Sequence, residues 1–526
     1  MEASLSKPNV KASIRKLWKH TVITYAIFLL LTSLYLIPFM RLIQQRTDEG
    51  TFLIGALRIA HGEVFARDYF ETMGPGTFYW LAIFFKLFGT TFLASRLCLF
   101  LTTLGSTTLM IFLSRRVCGD YWKLPCMIMI GTYYGSLWPA ISHHSDSNLL
   151  VLLAVTCLVV WLDKHSNLLL MAAGILAGMT TFVILPKGAL LLFAILIWLL
   201  IVKKPYTATF SALSNVMIGY VLVVAFVALY FWSKGALSSL IDANILWPFR
   251  NYGVVNVVPY AHGIFQGYWG QWVDAGKGKL WAVVLASILI VPFLFIAAVP
   301  LLLAYITFLL RKTKVNSELL LLLLCGGALW ISELHRKDMV HLVFGAILLL
   351  IPIIGVLHDS NKKASEYLLQ VLVITSVCLL SFNLLLVLTA QNVSTRVGSV
   401  AMYGKDKVLM ALDSRVAEGE ELFIYPYCPS YYFLSGTSNP TRYSFLQYNY
   451  NSRTEFDDAI AVLDRRKVRF VLWDTNFNIK LRPINFPSAP PVSSGDLIME
   501  PYLETHYKVV SEVDGFKIME RNDQLR

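Results

Sequence analysis

From Thr21 onward the chain alternates between long apolar runs and short polar breaks. Runs of about 18 to 25 apolar residues are long enough to cross a bilayer core. The pattern predicts spans near 20–42, 93–113, 124–141, 148–163, 167–185, 188–202, 209–232, 279–309, 317–334, 340–357 and 366–390, about eleven helices in all. The segment "TFYWLAIFFKLFG" (77–89) is apolar but only about 13 residues long and holds Lys86, so it reads as an interfacial helix. The first loop, from Asp48 to Ala60, repeats Phe52, Leu53, Ala56, Ile59 and Ala60 at helical spacing, a second short helix lying along the membrane. After Asn392 the period changes. Short β-type runs, "ELFIYPY" and "VRFVLWD", alternate with the helix-like "EFDDAIAVLDRRK". The predicted fold is a polytopic α-helical membrane protein with a small C-terminal α/β domain.

Composition narrows this. Hydrophobic residues make up 56% of the 526 and charged residues 15%, against roughly 25% charged in soluble domains. Mean hydropathy is +0.60. A set of soluble domains is excluded. The net charge of +12 would suit a nucleic-acid partner, but its distribution does not, because many Lys and Arg sit in short loops between spans.

With the N-terminus in the cytoplasm, the inside loops are 1–19, 114–123, 164–166, 203–208, 310–316 and 358–365. Each carries positive charge, from Lys7, Lys11, Arg15, Lys16 and Lys19 through Arg115, Arg116, Lys123, Lys164, Lys203, Lys204, Arg311, Lys312 and Lys314 to Lys362 and Lys363. Counting 77–89 as a span would put Arg115 and Arg116 outside. The organisation is therefore a basic cytoplasmic N-terminus (1–19), a membrane domain (20–391) with outer loops 43–92, 142–147 and 233–278, and an extracytoplasmic domain (392–526). The basic stretch to His20 leads into a full-length span without an A-x-A-like site, which predicts an anchor rather than a cleaved signal. Seven scattered cysteines form no C-x-x-C pair, which argues against a disulfide framework or thiolate metal site.

Four polar features share the predicted outer face. Asp48 and Glu49, in "RTDEG", open the first-loop helix and suit either capping or chemistry. Arg67, Asp68 and Glu71 follow in the same loop as candidate substrate contacts. Asp146, in "SHHSDSN", opens the fourth span beside His143 and His144, where a cap is again the plain alternative. Lys187, in "VILPKGALLLF", sits between apolar runs after Pro186, which breaks the helix; it either snorkels to the interface or meets an anionic lipid headgroup. The loop "ELHRKDMVHL" (333–342) puts positive charge outside, against the rule that holds elsewhere. Arg336 there can fork onto a phosphate, with His341 nearby. Carboxylates on two loops and cations on two others suit group transfer from a lipid-phosphate donor, a carboxylate taking a proton and cations stabilising the departing phosphate. Clustered acids also bind divalent cations, with Asp48 and Asp146 as possible ligands.

At "DEG…ALRIAHGEVFARDYFETMGPGTFYWLAIFFKLFG…ASRL" the sequence resembles the GT-C superfamily of membrane glycosyltransferases. The likeness is to the bacterial branch related to protein mannosyltransferases and the aminoarabinose transferase of lipid A modification. Asp48, Gly62, Asp68, Glu71, Pro75, Tyr79, Trp80, Phe88 and Gly89 match that branch's first-loop pattern, Asp146 its second-loop acid and Lys187 its "K-G". "PYCPSYYFLSGTSNPTRY" (426–443) is similar to outer-domain segments of bacterial members. The resemblance implies a polyprenyl-phosphate-sugar donor, an inverting transfer of a hexose or pentose and an active site on the outer face of the bacterial cytoplasmic membrane. Asp48 would then be the base with Asp146 in support, and Lys187 and Arg336 the phosphate contacts. One departure is clear: related transferases often carry a basic residue after the loop Glu, whereas Glu71 is followed by Thr72 and Met73. The acceptor the resemblance implies is an envelope lipid, polysaccharide or protein. Two other classes share these features, a lipid or polysaccharide flippase and a non-catalytic subunit of an envelope-assembly complex.

Overall fold

The computed structural model describes residues 10–43, 47–133, 140–202, 206–253, 256–311, 315–478 and 482–522, with backbone only at 10–21, 206–208 and 494. The basic positions expected inside at 1–9, 203–205 and 312–314 lie outside the described residues. Among the described residues, nine α-helices come first: α1 (Val10–Leu36), α2 (Asp48–Ala60), α3 (Pro75–Phe88), α4 (Phe92–Cys118), α5 (Lys123–Tyr133), α6 (His143–Lys164), α7 (Asn167–Val183), α8 (Leu185–Val202) and α9 (Tyr206–Ser233). Thr91 and Ser142 cap α4 and α6 by accepting from the Ala94 and His144 amides, the usual solution for orphan N–H groups at a helix start.

Six helical stretches among the described residues are long and apolar enough to cross a membrane, or eight if each of two bent pairs is one span. That is fewer than the eleven the apolar pattern predicts. The expected span 279–309 is three helices, Leu280–Leu289, Val291–Ala297 and Val299–Leu310, because Pro292 and Pro300 sit where new helices start and a proline removes a helical hydrogen bond. The first two of these bend by 43°. The expected span 340–357 likewise splits into Met339–Ala346 and Leu350–Asp359, bent by 67°. At 17 residues, α7 is only about 26 Å long at 1.5 Å per residue, short of a ~30 Å core.

α2 and α3 pack through Phe52 and Phe78, whose ring centroids are 4.9 Å apart, with Phe65 of the loop between them 5.4 Å from Phe78, all three buried. α7 and α9 touch at Gly174 and Gly219, where an added Cβ would overlap the facing backbone. Phe226, Leu229 and Trp232 on α9 remain exposed, as a lipid-facing surface requires.

The C-terminal segment begins with a hairpin, β1 (Gln391–Thr395) and β2 (Gly398–Met402). A mixed four-stranded sheet follows, β3 (Leu422–Tyr425), β4 (Phe470–Asp474), β5 (Tyr507–Val513) and β6 (Phe516–Arg521), in the order β3-β4-β6-β5. β3 and β4 are parallel, which requires a crossover; the Arg453–Arg466 helix lies on it, opened by a Ser452/Glu455 capping box. The sheet is held to the helical body at α2: Gly50 lies so close to Ser430 that a Cβ there would overlap the Ser430 backbone. Phe85 of α3 stacks on Phe433 at 5.6 Å. The start of α2 thus sits beneath the segment that follows β3.

Candidate functional site

Asp48 and Glu49 are neighbours in the first turn of α2, but successive helical residues point about 100° apart, and the two acids meet different partners. Glu49 turns inward and is fully buried. It forms an ion pair with the equally buried Arg96 of α4, and its Oε1 accepts the Ile141 amide at 3.1 Å. Arg96 also donates to the Leu42 carbonyl at 2.6 Å. This acid therefore joins α2, α4 and the approach to α6. Asp48 stays half-buried and accepts a hydrogen bond from the Tyr427 hydroxyl.

Glu71, in the turn before α3, lies on the same side. Its side chain is 2% exposed; Oε1 accepts the Thr72 amide at 3.1 Å, while Oε2 has no partner among the described residues. Burial pushes its carboxyl up to about 8, and the negative charge of Asp48 adds to the rise. The Tyr427 hydroxyl is raised by burial and then by Asp48. Aromatic rings complete this wall: Tyr427 on Phe445 at 4.4 Å, Phe445 on Tyr450 at 5.2 Å and Tyr450 on Trp247 at 4.4 Å. Asn244 donates to the Glu71, Thr72 and Met73 carbonyls at 3.3, 3.0 and 3.1 Å, fixing the turn that carries Glu71.

Lys187 does not snorkel. It is fully buried in the first turn of α8, with Nζ 2.5 Å from Glu333 Oε1. It donates to Ser147 Oγ at 3.0 Å and Asn148 Oδ1 at 3.1 Å, so all three ammonium protons are used. Glu333 ends the Ser317–Glu333 helix and also meets His144 Nδ1 at 3.0 Å. His144 stacks on Phe344, and its ring lies 4.9 Å from that of His341.

His341 Nδ1 meets Asp338 Oδ1 at 2.8 Å, and Asp338 caps the Met339–Ala346 helix by accepting the His341 amide. Arg336 donates to Asp338 at 2.5 Å, to Asn256 Oδ1 at 2.8 Å and to the Asn485 carbonyl at 2.7 Å. Burial alone would raise Asp338, yet His341 and Arg336 hold its carboxyl far below the usual range. Burial alone would lower Arg336; Asp338 raises it, and Asp48 adds to that. Asp48 also acts on the Tyr252 hydroxyl, which burial raises and which feels Arg336, Asp338 and Glu333 as well. The Asp48 wall and the histidine–carboxylate network thus share one end of the helical body. Lys337, half-buried and between Arg336 and Asp338 in sequence, forms no ion pair with any described residue.

Other predicted residues stand apart. Asp146 accepts from Thr77 Oγ1 at 2.7 Å and Thr102 Oγ1 at 3.3 Å, pinning α6 to α3 and α4. Arg67 forks onto Asp68 at 2.8 Å and donates to the Lys234 carbonyl, while Asp68 accepts the Val64 amide at 2.7 Å. These two hold a surface turn beside a groove of about 200 Å³ lined by Tyr79, Lys86, Tyr230 and Lys234. His143 packs on Phe52 and His144. Among the described residues, the group of three or more His, Cys, Asp or Glu side chains close enough to share an ion is His144, Glu333 and His341. Tyr427, Tyr252 and Glu333 carry no local signal that marks them as site residues, although Glu333 stands in the "ELHRKDMVHL" loop and Tyr427 in the "PYCPSYYF" segment.

No protein-family model and no curated protein matches the sequence. The fold does have counterparts among solved structures. The chain is similar to ArnT from Cupriavidus metallidurans bound to undecaprenyl phosphate, with a TM-score of 0.55 at 10% identity, covering 95% of this chain and 97% of that one. The apo state of the same protein aligns with a TM-score of 0.44 at 10% identity over the same shares. The archaeal oligosaccharyltransferase AglB from Archaeoglobus fulgidus, in complex with an inhibitory peptide and a dolichol-phosphate, aligns at 0.44 and 11% identity, covering 95% of this chain and 75% of that one. The chain thus has the GT-C-like fold of a multi-pass membrane protein.

Proposed function

We propose that the chain is an integral membrane glycosyltransferase of the bacterial cytoplasmic membrane. It transfers a hexose or pentose from a polyprenyl-phosphate donor to an envelope lipid, polysaccharide or protein. The N-terminus (1–19) is cytoplasmic, 20–391 is the membrane domain, and the site and the 392–526 domain face outward. The observation that carries this reading is the half-buried Asp48 carboxylate, held by Tyr427 and within electrostatic reach of Arg336 at one end of a GT-C-like fold. ArnT, the structure of like fold, was solved with a polyprenyl phosphate bound.

In this reading the acceptor hydroxyl attacks the anomeric carbon and Asp48 takes its proton. The bond from that carbon to the phosphate oxygen breaks, and its electron pair leaves on the polyprenyl phosphate. Attack from the opposite face inverts the centre. Positive charge for the leaving phosphate comes from Lys337 and from Arg336, three of whose five N–H groups are used by described residues. Lys187, with no proton to spare, positions Glu333 instead, and Asp146 positions α6.

The test is the Asp48→Asn variant with a radiolabelled polyprenyl-phosphate sugar. A loss of at least ~100-fold in turnover with an unchanged melting temperature is expected for a missing base. Undiminished turnover would overturn the role of Asp48. Labelled lipid crossing proteoliposomes without any covalent product would favour a flippase.

A further inference from the structure

Glu333 is the least satisfied charged group in the network. Its side chain is 0% exposed, and Oε1 receives both Lys187 and His144. Oε2 is buried without a hydrogen-bond partner among the described residues. An orphaned buried carboxylate oxygen is costly and calls for an explanation, an ion among them. The ligand atoms of Glu333, His144 and His341 all lie within 4.8 Å of one another.

We propose that His144, Glu333 and His341 bind one divalent metal ion of the zinc class.

Two imidazoles and one carboxylate form a donor set that suits zinc and leaves a fourth position open. Calcium and magnesium instead favour oxygen ligands or retained water. The groups that would hold these ligands in place are already present. Asp338 Oδ1 at 2.8 Å from His341 Nδ1 keeps the proton on that nitrogen and leaves the lone pair on Nε2, the carboxylate–histidine pairing found behind metal ligands. His144 is oriented by its stack on Phe344 at 4.8 Å. Lys187 anchors Oε1 while Ser147 and Asn148 anchor Lys187, which leaves Oε2 as the uncommitted carboxylate oxygen.

The charges are consistent with this. Glu333 with Lys187 and Asp338 with Arg336 form two neutral pairs. A bound ion therefore adds positive charge to a pocket whose own cations are already committed to protein partners. Ligands at ~2.0–2.1 Å from one ion stand no more than about 4.2 Å apart, so the three side chains close in by tenths of an ångström on binding. The ion would replace the present contact between His144 and Glu333. If the transferase reading holds, that charge faces the departing phosphate; the site itself does not depend on that reading.

The test uses the full-length protein in detergent, stripped with a chelator, equilibrated with zinc sulfate, desalted and measured by mass spectrometry of elements. The expected result is one zinc per chain, lost in His341→Ala and kept in His335→Ala, a neighbouring histidine outside the triad. Zinc should raise the melting temperature of the wild type by several degrees through linkage and leave that of His341→Ala unmoved. Cobalt in place of zinc should give a tetrahedral absorption spectrum in the wild type alone. Equal zinc in wild type and a folded His341→Ala, or none in either, would overturn the proposal. Because loading is read without any sugar transfer, an inactive Asp48→Asn variant that still takes up zinc sinks neither reading, whereas a zinc-free active enzyme sinks this one only.

Discussion

The hydroxyl of Tyr427 donates a hydrogen bond to the Asp48 carboxylate, across 379 residues of sequence. The candidate base thus takes its orientation from the segment after β3, and the C-terminal sheet becomes part of the site. Tyr427→Phe removes that donor while the ring stays packed on Phe445. A hydrogen bond to a charged group contributes roughly 1.5–3 kcal/mol when buried. Asp48 is half-open to water, so about 1 kcal/mol or less of stability is expected to go. Turnover should fall by around tenfold through lost orientation of the base. Thermal unfolding and a transfer assay on the same preparation check both, and unchanged turnover would separate Tyr427 from the chemistry.

Glu49 should behave in the opposite way to its neighbour. Its ion pair with Arg96 is closed to solvent, the two side chains being 0% and 1% exposed. Removing one member strands the other, which costs about 3–5 kcal/mol. Arg96→Leu is therefore expected to lower the melting temperature severely, and the double variant Arg96→Leu with Glu49→Leu to recover much of the loss. Asp48→Asn should melt like the wild type and lose activity. If Arg96→Leu were as stable as wild type, the structural role assigned to Glu49 would fail.

Lys187→Met poses the same question within the network. It leaves Glu333 buried against His144 alone, and a stability loss of about 3–5 kcal/mol is expected. Pairing it with Glu333→Gln should restore part of that loss, read by thermal unfolding. A mild Lys187→Met phenotype would mean that Lys187 binds a ligand rather than Glu333.

These three cases mark what the sequence made legible. Apolar runs and loop charges led to a polytopic helical body and a C-terminal mixed sheet, because bilayer thickness and β-periodicity act locally on residues such as Phe226 or Leu422–Tyr425. The same runs overcounted spans, since hydropathy windows read straight through Pro292 and Pro300. Asp48, Lys187, Arg336 and His341 were visible as polar exceptions in apolar or outer-loop contexts. Their partners were not. Whether Lys187 snorkels or meets Glu333 is decided by two helices 146 residues apart in sequence (333 − 187), and nothing in either local stretch encodes that meeting. Tyr427 is one of 25 tyrosines, distinguished only by where the segment after β3 falls on α2.

Glu71 gives the site a pH signature whose sign can be worked out. In the unfolded chain its carboxyl ionises near the ordinary value of about 4.3. In the folded protein burial, reinforced by Asp48 and opposed by the Thr72 and Met73 amides, moves it up to about 8. Between those values the folded state holds a proton that the unfolded state has released. Stability therefore falls as pH rises through this window, and the fall ends once pH passes the folded value. The slope from this one group approaches about 1.4 kcal/mol per pH unit, a few kcal/mol over the whole window. Glu71→Gln keeps the neutral shape and cannot ionise. The gap in melting temperature between Glu71→Gln and wild type should widen from about pH 5 to about pH 8 and then hold constant. Parallel melting curves would place the Glu71 carboxyl in contact with water and remove it from the closed wall around Asp48.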